Sequence, residues 1–290
     1  MAVDCGTYKL PLVRTVAGLR ETVSGWRREG ARIGFVPTMG ALHEGHLSLV
    51  DLAARHADRV AVSLFVNPAQ FAPGEDFDAY PRTEAEDAEK LSRRPADLLF
   101  APNGREMYPP GFATSVQVDG PAQGLETGIR PHFFNGVATV VTKLLVQCAP
   151  DVAVFGEKDY QQLLVVRRLV RDLDLPVEII GGPTVREGDG LALSSRNAYL
   201  GAEERRIAGQ FNRVLKDVAR RAADGMAVDE AVARGKRALL EAGFEEVQYL
   251  EVRDAETLEP LSRLERPARV LGAVKLPSTR LIDNVAVGGD

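Results

Sequence analysis

The sequence predicts an α/β protein, in which a parallel sheet with helices on both faces is followed by a smaller α+β domain. Short β-rich runs alternate with helical patterns along the first two-thirds of the 290 residues. Strands separated by helices imply βαβ crossovers and therefore a parallel sheet. These runs lack strict apolar–polar alternation, as is typical of strands buried on both faces.

The order of the elements changes after residue 184, where two helical patterns are followed by three strands. Helices followed by strands favour a separate α+β domain. We therefore divide the chain into domains 1–184 and 185–290, with a hinge at Gly181-Gly182-Pro183.

The individual elements follow from local patterns. In the first domain, strands are predicted at 32–37, 60–66, 97–101, 152–155 and 177–180, and helices at 46–56, 136–148 and 160–173. A further helix to about residue 94 is expected to begin with a capping box of Thr83 and Glu86. In the second domain, helices are predicted at 203–223 and 227–241, and strands at 247–252, 269–275 and 280–287.

Composition excludes several classes of protein. Hydrophobic residues make up 45% of the chain and charged residues 27%, which is ordinary for a globular protein. The net charge of −5 does not favour nucleic acid or an acidic membrane as a partner. Residues 1–12 lack the pattern of a signal peptide, and no apolar stretch is long enough to span a bilayer. We therefore expect a cytoplasmic protein.

The two cysteines, Cys5 and Cys148, lie far apart and belong to no C-x-x-C or Cys/His cluster. Neither a disulfide framework nor a zinc site is indicated. We expect both to be inert thiols.

The segment from Pro37 to His46 follows the first strand and opens a helix. Ligands of open parallel sheets bind at the carboxyl edge of the strands, and the amides of a helix start favour phosphate. His43 and His46 are three residues apart, so both imidazoles can face one side of the first turn and stabilise charge at phosphorus. The alternatives are two histidines without a role, or a zinc pair, although zinc pairs on helices usually have i, i+4 spacing.

Two further segments carry phosphate-binding chemistry. In Phe155 to Gln162, Lys158 follows a strand end and can neutralise phosphate charge; the alternative is a solvated helix start. In Leu193 to Asn197, two hydroxyls and a guanidinium can hold a triphosphate, with Arg186 to Gly190 as a flexible connection that would let the loop move. A simple turn or helix cap would have the same composition. Gln70 and Gln162 can each hold a hydroxyl group.

Together these segments resemble the pantothenate synthetase (pantoate–β-alanine ligase) family over nearly the whole chain. The resemblance rests on PTMGALHEGHLSLV, FVNPAQF, YPRT, GVATVVTKL, FGEKDYQQL and PTVREGDGLALSSRN. It implies membership of the nucleotidyltransferase-like superfamily, with a Rossmann-like first domain that binds ATP and pantoate and a second domain that covers the active site. His43 and His46 match the HxGH motif, and residues 193–196 match the KMSKS-like loop, with Leu193 where many relatives carry methionine.

The resemblance also implies the residue roles. His43, His46 and Lys158 would be catalytic, Gln70 and Gln162 would bind pantoate, and Gln70 would also lie near β-alanine. Asp87 would be linked to magnesium, and Lys143 would line the substrate pocket. ATP contacts are implied at Met39, Gly40, Ala41, Leu42, His43, Glu44, Gly45, His46, Gly156, Glu157, Lys158, Asp159, Val185, Leu193, Ser194, Ser195 and Arg196.

One segment departs from the family pattern R-P-x-H-F-x-G. Here Phe133 stands at the histidine position, and an imidazole lies one residue earlier, at His132. We assign no role to His132.

The reaction implied by the resemblance has two steps. The carboxylate of (R)-pantoate attacks the α-phosphorus of Mg-ATP, and the amine of β-alanine then displaces AMP from the pantoyl adenylate. The product is (R)-pantothenate, a coenzyme A precursor, and the family implies a homodimer. The alternatives are an adenylyltransferase that leaves AMP on a phosphate-bearing acceptor and a nucleotide-binding sensor or structural module without turnover.

Overall fold

The computed structural model describes residues 9–72, 74–75 and 77–288. The expectation for Cys5 therefore lies outside the described residues, whereas Cys148 is a buried free thiol. Burial raises the pKa of Cys148 to about 12, so this thiol stays protonated and unreactive.

The elements alternate as the sequence predicts through the first part of the chain. They are β1 (Leu12–Val13), α1 (Val16–Arg28), β2 (Ile33–Thr38), α2 (Glu44–His56), β3 (Arg59–Leu64), α3 (Glu84–Leu91), β4 (Leu98–Phe100), α4 (Gly104–Met107), α5 (Glu126–Ile129), α6 (Phe133–Cys148), β5 (Val152–Gly156), α7 (Tyr160–Asp172) and β6 (Glu178–Gly182). Short 3-10 turns occur at Pro68–Gln70, Gly120–Ala122, Glu157–Asp159 and Ser195–Tyr199.

Helices and then strands follow in the last part of the chain. These elements are α8 (Ala202–Ala208), α9 (Phe211–Ala223), α10 (Val228–Ala242), β7 (Glu246–Asp254), β8 (Ala268–Lys275) and β9 (Arg280–Val287).

The described chain divides into two compact units. Unit 1 runs to Glu157 and includes Val165–Pro183, whereas unit 2 comprises Lys158–Leu164 and the chain from Thr184 onward. The first turn of α7 therefore belongs to unit 2, together with Lys158.

Unit 1 is built on a parallel sheet with strand order β1-β4-β3-β2-β5-β6 among the described residues. Strands β3 and β4 lie on one side of β2, and β5 and β6 lie on the other. The strand order therefore reverses at β2, which is the position where open α/β sheets bind ligands at their carboxyl edge. The prediction of a Rossmann-like parallel sheet is confirmed.

Helix α2 packs closely on this sheet because glycines leave room for it. Leu47, Leu49 and Val50 of α2 are buried in the same core as strand residues of β2, β3 and β5. A Cβ atom at Gly182 would overlap the Leu49 side chain. Gly182 therefore lets the Leu49 side chain of α2 pack against the end of β6.

Unit 2 is an antiparallel sheet of order β7-β8-β9 with helices against it. Leu215 and Val218 of α9 and Leu239 of α10 share a core with Leu250 and Val270 of the sheet. The prediction that a smaller α+β domain follows the parallel sheet is confirmed.

Two local predictions differ from the structure, and helix α1 was not predicted at all. The helix predicted at 203–223 is two helices, α8 and α9, separated at Gly209, where glycine disfavours helix and the Asp189 carboxylate leaves no room for a Cβ atom. Thr83 precedes α3 but makes no side-chain cap; its hydroxyl donates to Asp87 Oδ2 at 3.2 Å instead. Thr15 caps α1.

No helix among the described residues is both long and apolar enough to cross a membrane.

Candidate active site

The turn after β2 holds the paired histidines of unit 1. Its backbone has positive φ at Gly40 (92°) and Ala41 (51°), so the chain reverses sharply before α2 begins. Glycine tolerates such φ values without strain, whereas alanine does not. The turn therefore needs contacts elsewhere that hold Ala41 in place.

The two imidazoles cap helix α2 reciprocally. Gly45 N donates to His43 Nδ1 at 3.1 Å, and His43 N donates to His46 Nδ1 at 3.4 Å. The ring centroids are 4.1 Å apart. Because both Nδ1 atoms accept hydrogen bonds, the neutral rings carry their protons on Nε2. Each imidazole is thereby set as a hydrogen-bond donor at Nε2, the form suited to a phosphate oxygen.

Most backbone amides of this turn are bonded within the protein. Gly40 N donates to Thr38 Oγ1 at 3.3 Å, and the amides of Ala41 and Leu42 donate to Asp87 at 2.9 and 2.8 Å. These three amides are therefore already bonded within the protein, whereas phosphate binding at the start of α2 stays a prediction. The side chain of Glu44 pairs with Arg94 at 2.8 Å.

Asp87 does not fit the predicted role of a magnesium ligand. Its residue surface is fully buried, and each carboxylate oxygen accepts a hydrogen bond from a backbone amide of the turn. Magnesium favours carboxylates that can reach it together with water and phosphate oxygens. Among the described residues, no group of three or more His, Cys, Asp or Glu side chains could hold a metal ion.

Gln70 lies beside the same turn, in the 3-10 turn after β3. Its Nε2 donates to Met39 Sδ at 2.8 Å, and its Oε1 accepts from Asn67 Nδ2 at 3.2 Å. Asn67 is buried and also donates to the Gly136 carbonyl at 3.1 Å. The structure thus brings the predicted pantoate residue Gln70 next to the predicted ATP residue Met39.

Aromatic side chains surround Asn67 and Lys143. Tyr108 donates its hydroxyl to Asn67 Oδ1 at 2.8 Å, and burial raises the pKa of Tyr108 to about 12, which keeps it a donor. Lys143 Nζ lies 4.7 Å from the centre of the Phe112 ring, within cation–π range.

The segment that departs from the family pattern, Arg130 to Gly136, holds the region around Gln70 through Arg130. The Arg130 guanidinium binds both carboxylate oxygens of Glu75 at 2.6 Å and the Gln70 carbonyl at 3.0 Å. The Phe133 ring lies 4.0 Å from the same guanidinium. Phe133, at the family's histidine position, therefore supports Arg130 by stacking, while His132 is exposed.

Lys158 follows the end of β5 but belongs to unit 2. Its carbonyl accepts a hydrogen bond from Asn284 Nδ2 at 2.9 Å. Its Nζ lies 3.7 Å from Asp159 Oδ1, and its side chain is 20% exposed. Two residues on, Tyr160 donates its hydroxyl to the Ala255 carbonyl at 2.7 Å, which fixes the start of α7, including Gln162, to unit 2.

The segment from Val185 to Leu193 is a hydrogen-bonded hairpin, not the flexible connection that its composition predicts. Leu193 N donates to the Val185 carbonyl at 3.0 Å, and Glu187 N donates to the Leu191 carbonyl at 2.8 Å. Arg186 anchors the hairpin through Asp283, at 2.7 and 3.0 Å. The sequence missed this order because the partner lies 97 residues away.

The serine-rich stretch continues directly from this hairpin. Ser194 caps the 3-10 turn Ser195–Tyr199, because its Oγ accepts from Arg196 N at 3.3 Å. Asn197 donates through Nδ2 to the Ala192 carbonyl at 3.0 Å. The turn and cap that the composition allows are therefore present, and phosphate binding by the same residues stays a prediction.

Each unit brings part of the predicted site together. Unit 1 gathers Met39, Gln70 and the two histidines, and unit 2 gathers Lys158 with the hairpin through the adjacent residues Asp283 and Asn284. Sequence reasoning missed Asn67, Asp283 and Asn284. An Asp-Asn pair inside an apolar strand is unusual and was a signal for the last two.

Comparisons with known proteins show the family to which the chain belongs. The sequence matches the family described as Pantoate-beta-alanine ligase over residues 11–286. The chain belongs to the pantoate–β-alanine ligase family. A pantothenate synthetase of Caulobacter vibrioides is 59% identical over 96% of this chain and 98% of its own length. One of Mesorhizobium japonicum is 57% identical over 95% and 97%.

Solved structures of pantoate–β-alanine ligases share the fold. The pantothenate synthetase of Thermus thermophilus is 51% identical, with a TM-score of 0.90 over 95% of this chain and 99% of that one. The ligase of Francisella tularensis, complexed with a β,γ-ATP compound and β-alanine, is 32% identical with a TM-score of 0.81 over 97% and 99%. The chain is accordingly an ATP-dependent carbon–nitrogen ligase of pantothenate synthesis.

Proposed function

We propose that His43, His46 and Lys158 stabilise charge on the ATP phosphates while the pantoate carboxylate attacks the α-phosphorus. The observation that carries this proposal is the imidazole pair at the start of α2, in which both Nδ1 atoms accept backbone hydrogen bonds. A carboxylate is already ionised at neutral pH, so the attack needs no general base. Positioning and charge neutralisation therefore account for the rate.

The other predicted ATP residues hold the nucleotide. Ser194, Ser195 and Arg196 bind the β- and γ-phosphates and stabilise pyrophosphate as it leaves, since a guanidinium forms strong charge-assisted hydrogen bonds. The remaining contacts are Met39, Gly40, Ala41, Leu42, Glu44, Gly45, Gly156, Glu157, Asp159, Val185 and Leu193.

The second step joins the acyl group to β-alanine. Gln70 and Gln162 hold the pantoyl group, and Gln70 also lies near the amine that attacks the acyl carbon and expels AMP. Because water would hydrolyse the adenylate, the site must exclude it. We assign ATP and pantoate binding to domain 1–184 and this shielding to domain 185–290.

Three further features belong to the same proposal. The nucleotide enters as its magnesium complex, the enzyme acts in the cytoplasm, and it assembles as a homodimer. No nucleic acid or membrane takes part. The reaction sequence itself assigns no ligand role to Asp87.

The test is ATP–pyrophosphate exchange that depends on pantoate alone. His43→Ala and Lys158→Ala should each reduce exchange by more than about 100-fold, the scale of a lost transition-state contact. His56→Ala is the matched control, because His56 is exposed at the far end of the same helix. Near-normal exchange in both active-site variants would refute the assignment of these residues.

The full reaction separates the ligase from the alternatives. With ATP, pantoate and β-alanine, the ligase releases free AMP and forms an amide. An adenylyltransferase would leave AMP on its acceptor, and a nucleotide sensor would bind ATP without releasing pyrophosphate.

A further inference from the structure

We infer that Asp87 is a positioning residue that sets the shape of the nucleotide-binding turn through backbone amides and acts independently of magnesium. This inference rests on the proposed function, because it concerns the site that would hold ATP. It replaces the role of magnesium ligand that the family resemblance implies.

The carboxylate of Asp87 bridges helix α3 and the turn. Oδ2 accepts from Ala41 N at 2.9 Å, and Oδ1 accepts from Leu42 N at 2.8 Å. The Thr83 hydroxyl donates to Oδ2 at 3.2 Å. A carboxylate that receives one bond at each oxygen from successive amides fixes the orientation of both peptide planes.

Lys90 completes the bridge from the same helix. Its Nζ donates to the Leu42 carbonyl at 2.9 Å and lies 3.9 Å from Asp87 Oδ1. Helix α3 therefore holds both the N–H and the C=O group of Leu42. The positive charge also compensates the buried carboxylate, which would otherwise be costly.

This bridge explains how Ala41 keeps its positive φ of 51°. A left-handed conformation is unfavourable for a residue with a Cβ atom, and neighbouring contacts must offset the free energy that it costs. The bonds to Asp87 supply that compensation. The two residues they fix lie immediately before His43, so the direction in which α2 and its imidazoles start depends on them.

Geometry separates this role from metal binding. A magnesium ligand in a nucleotide site shares its ion with phosphates and water. Asp87 is instead enclosed, and the turn packs closely against it: a Cβ atom at Gly40 would come within 3.2 Å of Oδ2. An effect of Asp87 on nucleotide binding should therefore be the same with and without the ion.

The experiment measures nucleotide affinity by calorimetry, with ATP in excess magnesium and with ATP in EDTA, well below the unfolding midpoint. Asp87→Asn keeps the size of the side chain but replaces one acceptor oxygen by an NH2 group that faces a backbone N–H. We expect affinity to fall by about 10-fold or more, by the same factor in both buffers, as for the loss of a charged acceptor. Glu89→Gln, on the exposed face of the same helix, should match the wild type.

A loss confined to the magnesium buffer would overturn the inference and restore the metal role. Unchanged affinity in both buffers would also overturn it. If Asp87→Asn does not fold, Lys90→Met removes the second support of Leu42 and should give a smaller loss, again equal in both buffers. Wild-type protein that binds ATP but shows no pantoate-dependent exchange would refute the proposed function without affecting this result.

Discussion

The two units anchor the residues predicted to bind ligands in different ways. In unit 1, buried side chains bind backbone groups: Asp87 accepts from two amides, and Asn67 donates to the Gly136 carbonyl. In unit 2, pairs of charged side chains hold the hairpin, through Arg186 with Asp283 and Arg205 with Asp189. The first kind of anchor fixes peptide planes, whereas the second fixes only the base of a loop.

This difference predicts how the anchors of each unit should respond to salt and pH. Bonds between buried groups and backbone are shielded from ions, whereas partly exposed ion pairs weaken as salt screens them. We therefore expect the Arg205–Asp189 pair of unit 2, whose side chains are 36% and 34% exposed, to be the most sensitive of these anchors to salt and pH.

The largest expected loss of stability concerns the Arg186–Asp283 ion pair, the stronger of the two pairs that hold the hairpin in unit 2. Asp283→Ala removes a buried carboxylate that binds Arg186 twice and Asn212 once at 3.1 Å. Breaking such a pair leaves a charge without compensation and should cost about 3 kcal/mol of unfolding free energy in urea. Asp224→Ala, which removes an exposed partner of Arg220, is the control. Equal losses in both variants would show that Arg186–Asp283 is no stronger than a surface pair.

An intermediate effect tests backbone packing in unit 1. At Gly136 a Cβ atom would overlap the Ala69 carbonyl, beside Gln70. Gly136→Ala should therefore push the 3-10 turn away from α6, lower stability by about 2 kcal/mol and raise the KM for pantoate. Gly104→Ala is the matched control, since a Cβ atom there meets nothing within 4 Å. An unchanged KM would show that the contact does not position Gln70.

The smallest expected loss of stability concerns the partly exposed Arg205–Asp189 pair, whose contribution also depends on pH. The Arg205 guanidinium holds the pKa of Asp189 below its ordinary value of 3.8. A depressed pKa contributes stability above the unfolded value, and this contribution is lost as the pH falls below 3.8 and through the lower folded pKa. Asp189→Asn should cost less than about 1 kcal/mol at pH 7, measured by urea unfolding.

The difference in unfolding free energy between the wild type and Asp189→Asn should become smaller in acid. The difference in unfolding free energy between the wild type and Asp87→Asn, measured at neutral pH, should not change when salt is added. If salt weakened the Asp189–Arg205 ion pair and the hydrogen bonds of Asp87 to the same extent, the distinction between the two kinds of anchor would be wrong.

Sequence patterns predicted most elements of the fold, because strands and helices leave local signatures. The buried strands and the helix starting near His46 follow from apolar runs and from residues that begin or end elements. The break at Gly209 was missed because it depends on Asp189, which lies outside that helix pattern. The Thr83 capping box was wrong because Asp87 takes the hydroxyl.

For the candidate site, too, the sequence predicted some features and left others to the structure. The residue types at His43, His46, Lys158 and Ser194–Arg196 indicate phosphate chemistry without any structure, and the family resemblance supplied their roles. The sequence could not reveal that both Nδ1 atoms accept backbone bonds, because only the helix geometry brings those groups together. It also could not reveal that Phe133 stacks on Arg130.

The sequence by itself determined the βαβ order, the later α+β part, the motifs and the family, since these depend on residue types and spacing along the chain. Only the tertiary structure decided what Asp87 does. Its chemistry permits both a metal ion and a backbone amide as partners. The choice depends on burial and on which groups lie within 3 Å, and the two amides that Asp87 binds come from residues 45 and 46 positions away.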